Sequence, residues 1–248
     1  MSEAVLLTLF RLSLPTVHYT SPPFHPHHLY SRPGGIFGPY TARFASNQLL
    51  LAPRAESPEL SADRSGANAT LTLFAWARKH TLSRQSSMEF VAGVWSETLA
   101  KRQFSVFLDL SKGDLSHLID FEVSAVGGPT PGHRWCVTRA IGTKPVPQDV
   151  WNCLALTYDG SAIRAYNNGT LERRGNGTGG DAFYSNPFNY TKGIFTVPPG
   201  EEGMPFTVGG KISDEDAFFE GDIGGVALYK RALSAAEVRQ VCQATLPG

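Results

Sequence analysis

The stretch WNCLALTYDGSAIRAYNNGTL, residues Trp151 to Leu171, decides the fold. Two turn dipeptides, Asp159-Gly160 and Asn168-Gly169, separate three short runs of strand character. Asp-Gly and Asn-Gly suit two-residue type I′ loops, whose central residues need positive φ, so the stretch predicts a three-stranded antiparallel meander. Across the first turn Leu156 is expected opposite Ile163 and Leu154 opposite Ala165, which makes one apolar face continuous. Trp151, Cys153, Ala155 and Thr157 share the other face, whose semi-polar character suits a central strand of a packed sandwich. Asn168-Gly169-Thr170 is also an N-x-T glycan acceptor, so one asparagine carries two readings.

Outward from the meander, further strand candidates follow one another between turn signals: ARFASNQLLLA, ATLTLFAWARK, MEFVAGVWS, RQFSVFLDL, DFEVSAVG, RWCVTRAI, FTVGG and DIGGVALY. Many short strands with almost no helical period predict a β-sandwich or barrel, and 248 residues suit one such domain. The Pro-, Gly- and His-rich segment Thr20 to Tyr40 has no period, so residues 1–39 read as an N-terminal extension and 40–245 as the folded domain. Within that extension His18, His25, His27 and His28 are spaced closely enough to ligate a transition metal, although the prolines around them favour an irregular chain. One helix is expected at LSAAEVRQVCQA, where Ser234 and Glu237 have capping-box spacing and Leu233 and Val238 form a hydrophobic staple.

Lys plus Arg and Asp plus Glu balance at 22 each, so no overall field attracts nucleic acid. No apolar run approaches the roughly 20 residues that span a bilayer, and no transmembrane segment is expected. Glu3 and Arg11 spoil the N-terminal run as a signal peptide. Against that, Asn68, Asn168, Asn176 and Asn189 are glycan acceptors, four of eight asparagines, which points to an extracellular or secreted protein. Three cysteines permit at most one bridge: Cys136 and Cys153 either pair or stay buried thiols, and Cys242 reads as a small core residue on the helix.

With these elements placed, three segments resemble the laminin G-like jelly rolls of the concanavalin A-like lectin and glucanase superfamily. They are the opening ARFASNQLLLA…ATLTLFAWAR, the hairpin pair VWNCLALTYDGSAIRAYNNG, and the closing FTVGGKISDEDAFFEGDIGGVALYKRALSAAEV. The resemblance runs from about Tyr40 to Cys242 and implies an all-β antiparallel sandwich of jelly-roll type with a short C-terminal helix. It also implies buried positions for Trp76 and Trp151. One departure is Gly224-Gly225, which stands where the family often has acidic residues, so no ligand role of those acids carries over.

Candidate chemistry follows from residue type and spacing. The insertion Gly175 to Phe195 supplies Phe183, Tyr184, Phe188 and Tyr190 among Asp181, Asn186 and Asn189. Aromatic faces cover the apolar side of a pyranose while Asn and Asp fix hydroxyls, although the same rings also suit a lid on the sandwich. Trp95 and Trp135 lie near strand ends and are further sugar-stacking candidates. Asp214 and Asp216, with backbone carbonyls, suit calcium, the one cofactor expected. Carboxylates in DEDAFFE, Asp214 to Glu220, are badly spaced for a glycosidase. The reading is therefore a non-catalytic carbohydrate-binding or adhesion module with a glycan or glycoprotein partner. The alternatives are a glycan-active enzyme on the same fold and a protein-interaction domain. Replacing Tyr184 and Phe188 by Ala is expected to remove glycan binding with little change in Tm.

Overall fold

The computed structural model describes residues 4–7, 18–19, 30–45, 48–63, 68–80, 88–109, 117–175, 185–212 and 217–246. Two antiparallel sheets pack face to face. The first contains β1 (Ala4–Leu7), β3 (Tyr30–Pro33), β4 (Tyr40–Phe44), β6 (Leu71–Lys79), β11 (Asn152–Tyr158), β12 (Ala162–Asn167), β13 (Thr170–Leu171), β14 (Phe188–Asn189) and β16 (Gly221–Tyr229). The second contains β2 (His18–Tyr19), β5 (Leu50–Ala52), β7 (Met88–Val94), β8 (Phe104–Asp109), β9 (Leu118–Val123), β10 (Arg139–Ile141) and β15 (Phe206–Val208). The order is β13-β12-β11-β6-β16-β4-β3 in the nine-stranded sheet and β10-β9-β8-β7-β15-β5-β2 in the seven-stranded one.

Alternation builds the core. On β6, Leu71, Leu73, Ala75 and Ala77 point between the sheets, where they meet Val91, Phe104, Val106, Phe121 and Phe206 from the opposite layer. Phe74 and Trp76 from the same strand point outward and form a second apolar layer with Cys153, Ala155, Tyr166 and Ala227. The semi-polar face expected from β11 is thus covered on both sides, as a central strand requires.

The cover is α1 (Ala235–Thr245). Ser234 Oγ accepts from Glu237 N while the Glu237 carboxylate accepts from Ser234 N, the expected capping box. Leu233, Val238 and Cys242 are buried against the outward face of the sheet. There the structure corrects the cysteine reading: Cys153 is bridged to Cys242, and Cys136 is a buried free thiol. Cys153 alternates outward toward the helix, whereas Cys136 belongs to a cluster on the other sheet.

The meander forms, with one of its two turns as expected. Asn168 (φ 49°) and Gly169 (φ 78°) close a two-residue hairpin between Asn167 and Thr170. The Asp159-Gly160 turn differs. Tyr158 pairs with Ile163 and Leu156 with Ala165, a register two residues away from the expected one. Asp159 Oδ1 accepts from Ser161 N, Ala162 N and Ser161 Oγ, so a side chain organises a four-residue loop. A slip of two keeps every side chain on its face, so the apolar stripe survives.

The stretch read as an N-terminal extension also contributes strands: β1 pairs with β16, β2 with β5 and β3 with β4. Of the histidines in that stretch, His18 lies in β2, while His25, His27 and His28 fall outside the described residues.

The nine-stranded sheet closes its outer face with ions as well as rings. Asp222 on β16 sits between Arg43 on β4 and Arg78 on β6 in one cross-strand row. Its carboxylate accepts from Arg43 Nε, from Arg78 Nε at 2.9 Å and Nη2 at 2.7 Å, and lies 2.6 Å from His80 Nε2. Burial opposes ionisation, yet these donors outweigh it and hold the Asp222 carboxyl below the usual range. Trp151 is half-buried, with the Arg78 guanidinium 4.9 Å from its ring centre. At the departure noted in the sequence, a side chain on Gly224 would meet Ile36 at 2.4 Å, so a bare backbone is what lets Ile36 seat there.

Candidate functional site

The insertion proves more structural than its composition suggests. Asn186 is 1% exposed, and its amide bridges strands: Oδ1 accepts from Ala165 N at 3.0 Å, and Nδ2 donates to Ala165 O at 2.8 Å and Glu172 O at 2.6 Å. Tyr190 is a core residue whose ring centre lies 5.7 Å from that of Tyr158. Phe188, opposite Ile163, is half-buried against the same core. Pairing of β14 with β12 turns this part of the insertion inward, so Asn186 and Tyr190 are not the exposed groups expected. Asp181, Phe183, Tyr184 and Asn176 lie outside the described residues, as do Asp214 and Asp216. Of the other glycan acceptors, Asn68, Asn168 and Asn189 are exposed. Asn168 is also committed to its turn, since its Oδ1 accepts from Cys153 N and its Nδ2 donates to Asn152 Oδ1.

The two tryptophans separate. Trp95 is 2% exposed, stands edge-on to Phe107 at 5.9 Å and donates from Nε1 to Glu97 Oε1 at 2.8 Å. It packs over the outer face of the seven-stranded sheet instead of ending free at the strand terminus, which corrects its expected exposure. Trp135 is 49% exposed, with the Arg134 guanidinium 4.8 Å from its ring centre. It belongs to the loop between β9 and β10, and the next residue, Cys136, packs with Trp95 and Phe107 on that same face.

That face carries a polar row. Pairing places Leu51, Thr207, Gly93, Ser105, Glu122 and Arg139 side by side across β5, β15, β7, β8, β9 and β10. Around the row, Lys211 Nζ lies 2.9 Å from Glu97 Oε1, and Arg139 Nη1 donates to Asp120 Oδ2 at 2.7 Å. Arg102, 3% exposed, places its guanidinium 5.9 Å from the Trp95 ring centre. Among the described residues, Arg102 Nε and Nη1, Glu97 Oε2, Ser105 Oγ and Thr207 Oγ1 are buried with no hydrogen-bond partner. Buried polar groups in folded proteins are nearly always paired, so these atoms set the face apart from the core.

Electrostatics follow from burial. Glu122 is pushed well above the carboxylate range by desolvation and by the charge of Asp120, against the pull of Arg139 and Arg102. The Cys136 thiol is pushed up to about 12 by desolvation and by Glu122, so at neutral pH it is no nucleophile. Asp120 and Glu122 share a strand face, but at 0% and 5% exposure neither meets a glycosidic oxygen in this arrangement. Sequence reasoning missed Glu97, Arg102 and Lys211, because no local motif marks residues that the β7–β8 loop and the segment after β15 bring together. The alternation of Ser105 with Val106 and of Asp120 and Glu122 with Phe121 was the available signal that this sheet's outer face is polar.

At the β5–β15 side of the face lies a cavity of about 720 Å³. Leu51, the first residue of the polar row, is part of its wall together with Pro53, Arg54, Pro58, Glu202 and Ile212. Its volume is that of small-ligand sites.

Comparison with known proteins gives one family and one fold. The family model described as the concanavalin A-like lectin/glucanases superfamily matches residues 55–239, well over half of the chain. No curated protein matches by sequence. Among solved structures, domain 4 of AbnA, a GH43 extracellular arabinanase from Geobacillus stearothermophilus in complex with arabinotriose, aligns with a TM-score of 0.59 and 16% identity over 97% of this chain and 100% of that one. The CBM40 domain of the Ruminococcus gnavus IT-sialidase bound to α2,3-sialyllactose aligns with a TM-score of 0.53 and 14% identity over 84% of this chain and 100% of that one. A botulinum neurotoxin type C structure, concerned with two ganglioside molecules, aligns with a TM-score of 0.52 and 9% identity over 99% of this chain and 52% of that one. At these identities the likeness establishes the β-sandwich fold, which carbohydrate-binding modules share.

Proposed function

The chain belongs to the concanavalin A-like lectin/glucanase superfamily, and from that membership we propose that it is a non-catalytic carbohydrate-binding or adhesion module with a glycan or glycoprotein partner. The outer face of the seven-stranded sheet is its recognition surface. The carrying observation is Trp135, a half-exposed indole with the Arg134 guanidinium over its ring, on the β9–β10 loop where the next residue, Cys136, packs on that face. An exposed aromatic face stacks on the C–H side of a sugar ring while neighbouring donors and acceptors take its hydroxyls. The disulfide between Cys153 and Cys242 and the exposed acceptors Asn68, Asn168 and Asn189 support an extracellular setting, because structural disulfides persist in oxidising compartments.

A glycan-array screen of the purified chain tests this, with Trp135→Ala beside the native protein. Binding by the native chain that is lost in Trp135→Ala at unchanged Tm, without release of product, is the expected result. Retention of full binding by Trp135→Ala removes the platform. Tyr184→Ala, run in parallel, reports on the insertion, and a chelator arm reports on calcium at Asp214 and Asp216.

A further inference from the structure

Resting on the carbohydrate-binding reading, we infer that the cavity beside β5 is a sugar subsite whose ligand is a neutral saccharide unit, contacted by Arg54 and Glu202, and that it discriminates against sugar acids. The walls are largely apolar and rigid: Leu51, Pro53, Pro58, Pro205 and Ile212 present hydrocarbon without an aromatic ring. Such walls accept the C–H faces of a pyranose or furanose at little conformational cost, because prolines are already fixed.

The polar groups are held in advance. Arg54 Nε donates to Asp63 Oδ2 at 2.8 Å. Asp63 is itself fixed by Ser61 Oγ at 3.0 Å, Gln103 Nε2 at 2.8 Å and Val197 N at 2.8 Å. A side chain on Gly203 would stand 2.3 Å from Arg54 Cδ and 2.8 Å from its Cζ, so the bare backbone there is the seat on which the Arg54 shaft lies. With Nε spent on Asp63, the terminal N–H groups of a positioned guanidinium remain as donors in the cavity wall. Glu202, exposed on the loop that packs on the Arg54 shaft, supplies the acceptor, and its backbone carbonyl is tethered by the Lys101 ammonium. A donor and an acceptor lining one apolar-walled cavity fit vicinal hydroxyls.

Charge selects among sugars. The two loops that frame the cavity carry Glu56, Glu59, Asp63, Glu201 and Glu202 against Arg54, Arg64 and Lys192, five acids to three bases, with Lys101 3.6 Å from Glu201. Arg54 is already balanced by Asp63, so a carboxylate-bearing sugar enters a net negative field while an uncharged one does not.

The test is calorimetric titration of the full chain with a panel of neutral pentose and hexose trisaccharides and with trigalacturonate. Neutral trisaccharides are expected to bind, with trigalacturonate weaker by about tenfold or more, the scale of one misplaced charge. Glu202→Gln at an exposed position keeps the fold, and Gly203→Ala displaces Arg54; each is expected to weaken neutral binding by about fivefold or more. If both variants bind as the native chain does while Trp135→Ala does not, the cavity inference falls and the module stands. Trigalacturonate binding equal to or tighter than the neutral panel overturns the charge selection. Failure of every member of the glycan screen with the native chain overturns module and subsite together.

Discussion

The outer faces of the two sheets are finished in opposite ways. On the nine-stranded sheet, Phe74, Trp76, Ala155 and Tyr166 lie under a capped helix that is cross-linked at Cys153–Cys242, and the charged end is tied off by the Arg43–Asp222–Arg78 row. Thr72 shows the finish in one side chain: its Oγ1 donates to Arg231 O at 2.9 Å and accepts from Leu233 N at 2.8 Å. Thr157 is an exception, with an unpaired buried hydroxyl. On the seven-stranded sheet, Thr207 and Ser105 occupy comparable central positions and have no partners among the described residues. One face is sealed by a helix, a disulfide and ion pairs, and the other keeps buried hydroxyls without hydrogen-bond partners among the described residues.

The largest expected effect comes from opening the sealed face. Replacing both Cys153 and Cys242 by Ala is expected to cost about 2–5 kcal/mol, since the bridge closes a long loop, and denaturant unfolding with and without reductant measures it. Next, Asp222→Asn leaves Arg43 and Arg78 facing each other across a neutral amide, at about 3 kcal/mol. Because the folded Asp222 carboxyl is held below its ordinary value of 3.8, its contribution is present above that pH and is lost as pH falls further through the folded value. The gap between native chain and Asp222→Asn should therefore close in acid; a gap that stays constant would show that the row owes nothing to charge.

Glu89 gives the opposite sign. Desolvation pushes its carboxyl from 4.5 to about 7, against the pull of Lys79, whose Nζ lies 2.6 Å from both carboxylate oxygens. A raised folded value stabilises fully below the unfolded one and loses that contribution as pH rises through about 7. Unfolding of native chain and Glu89→Gln across pH 4 to 8 should show the native chain losing ground toward the alkaline end.

The sharpest test of the comparison is a matched pair. Thr72→Val on the sealed face removes two hydrogen bonds and is expected to cost about 1–2 kcal/mol, while Thr207→Val on the polar face is expected to be neutral or stabilising by up to about 1 kcal/mol. Equal losses at both would mean that Thr207 has a partner after all. Smallest in stability is Trp135→Ala, expected within about 0.5 kcal/mol because the ring is half exposed, with its effect confined to glycan binding.

How much was legible in the chain follows from the range of each determinant. The alternation on β6 and β11, the Asn168-Gly169 turn and the Ser234–Glu237 box are all specified within a few residues, and all appear as expected. The Asp159 loop misled because Asp159 can also bond its own downstream amides, so a side chain competed with the two-residue turn and won. Aromatic composition left the insertion between a sugar platform and a lid, and pairing of β14 with β12 took Tyr190 and Phe188 to the lid, the first buried and the second half-buried.

The sequence alone therefore determined an all-β body, sandwich or barrel, closed by a short helix, because period-2 hydrophobicity, turn chemistry and helix caps act locally, and the family resemblance decided for the sandwich. Only the tertiary structure decided which cysteines meet, which tryptophan stays in solvent, and that Arg54, Asp63 and Gly203 assemble one cavity wall. Apart from the Arg54–Asp63 pair, nine residues apart, those outcomes depend on contacts between segments tens to more than a hundred residues apart, and no spacing along the chain encodes which side chains a sandwich will bring together across its layers.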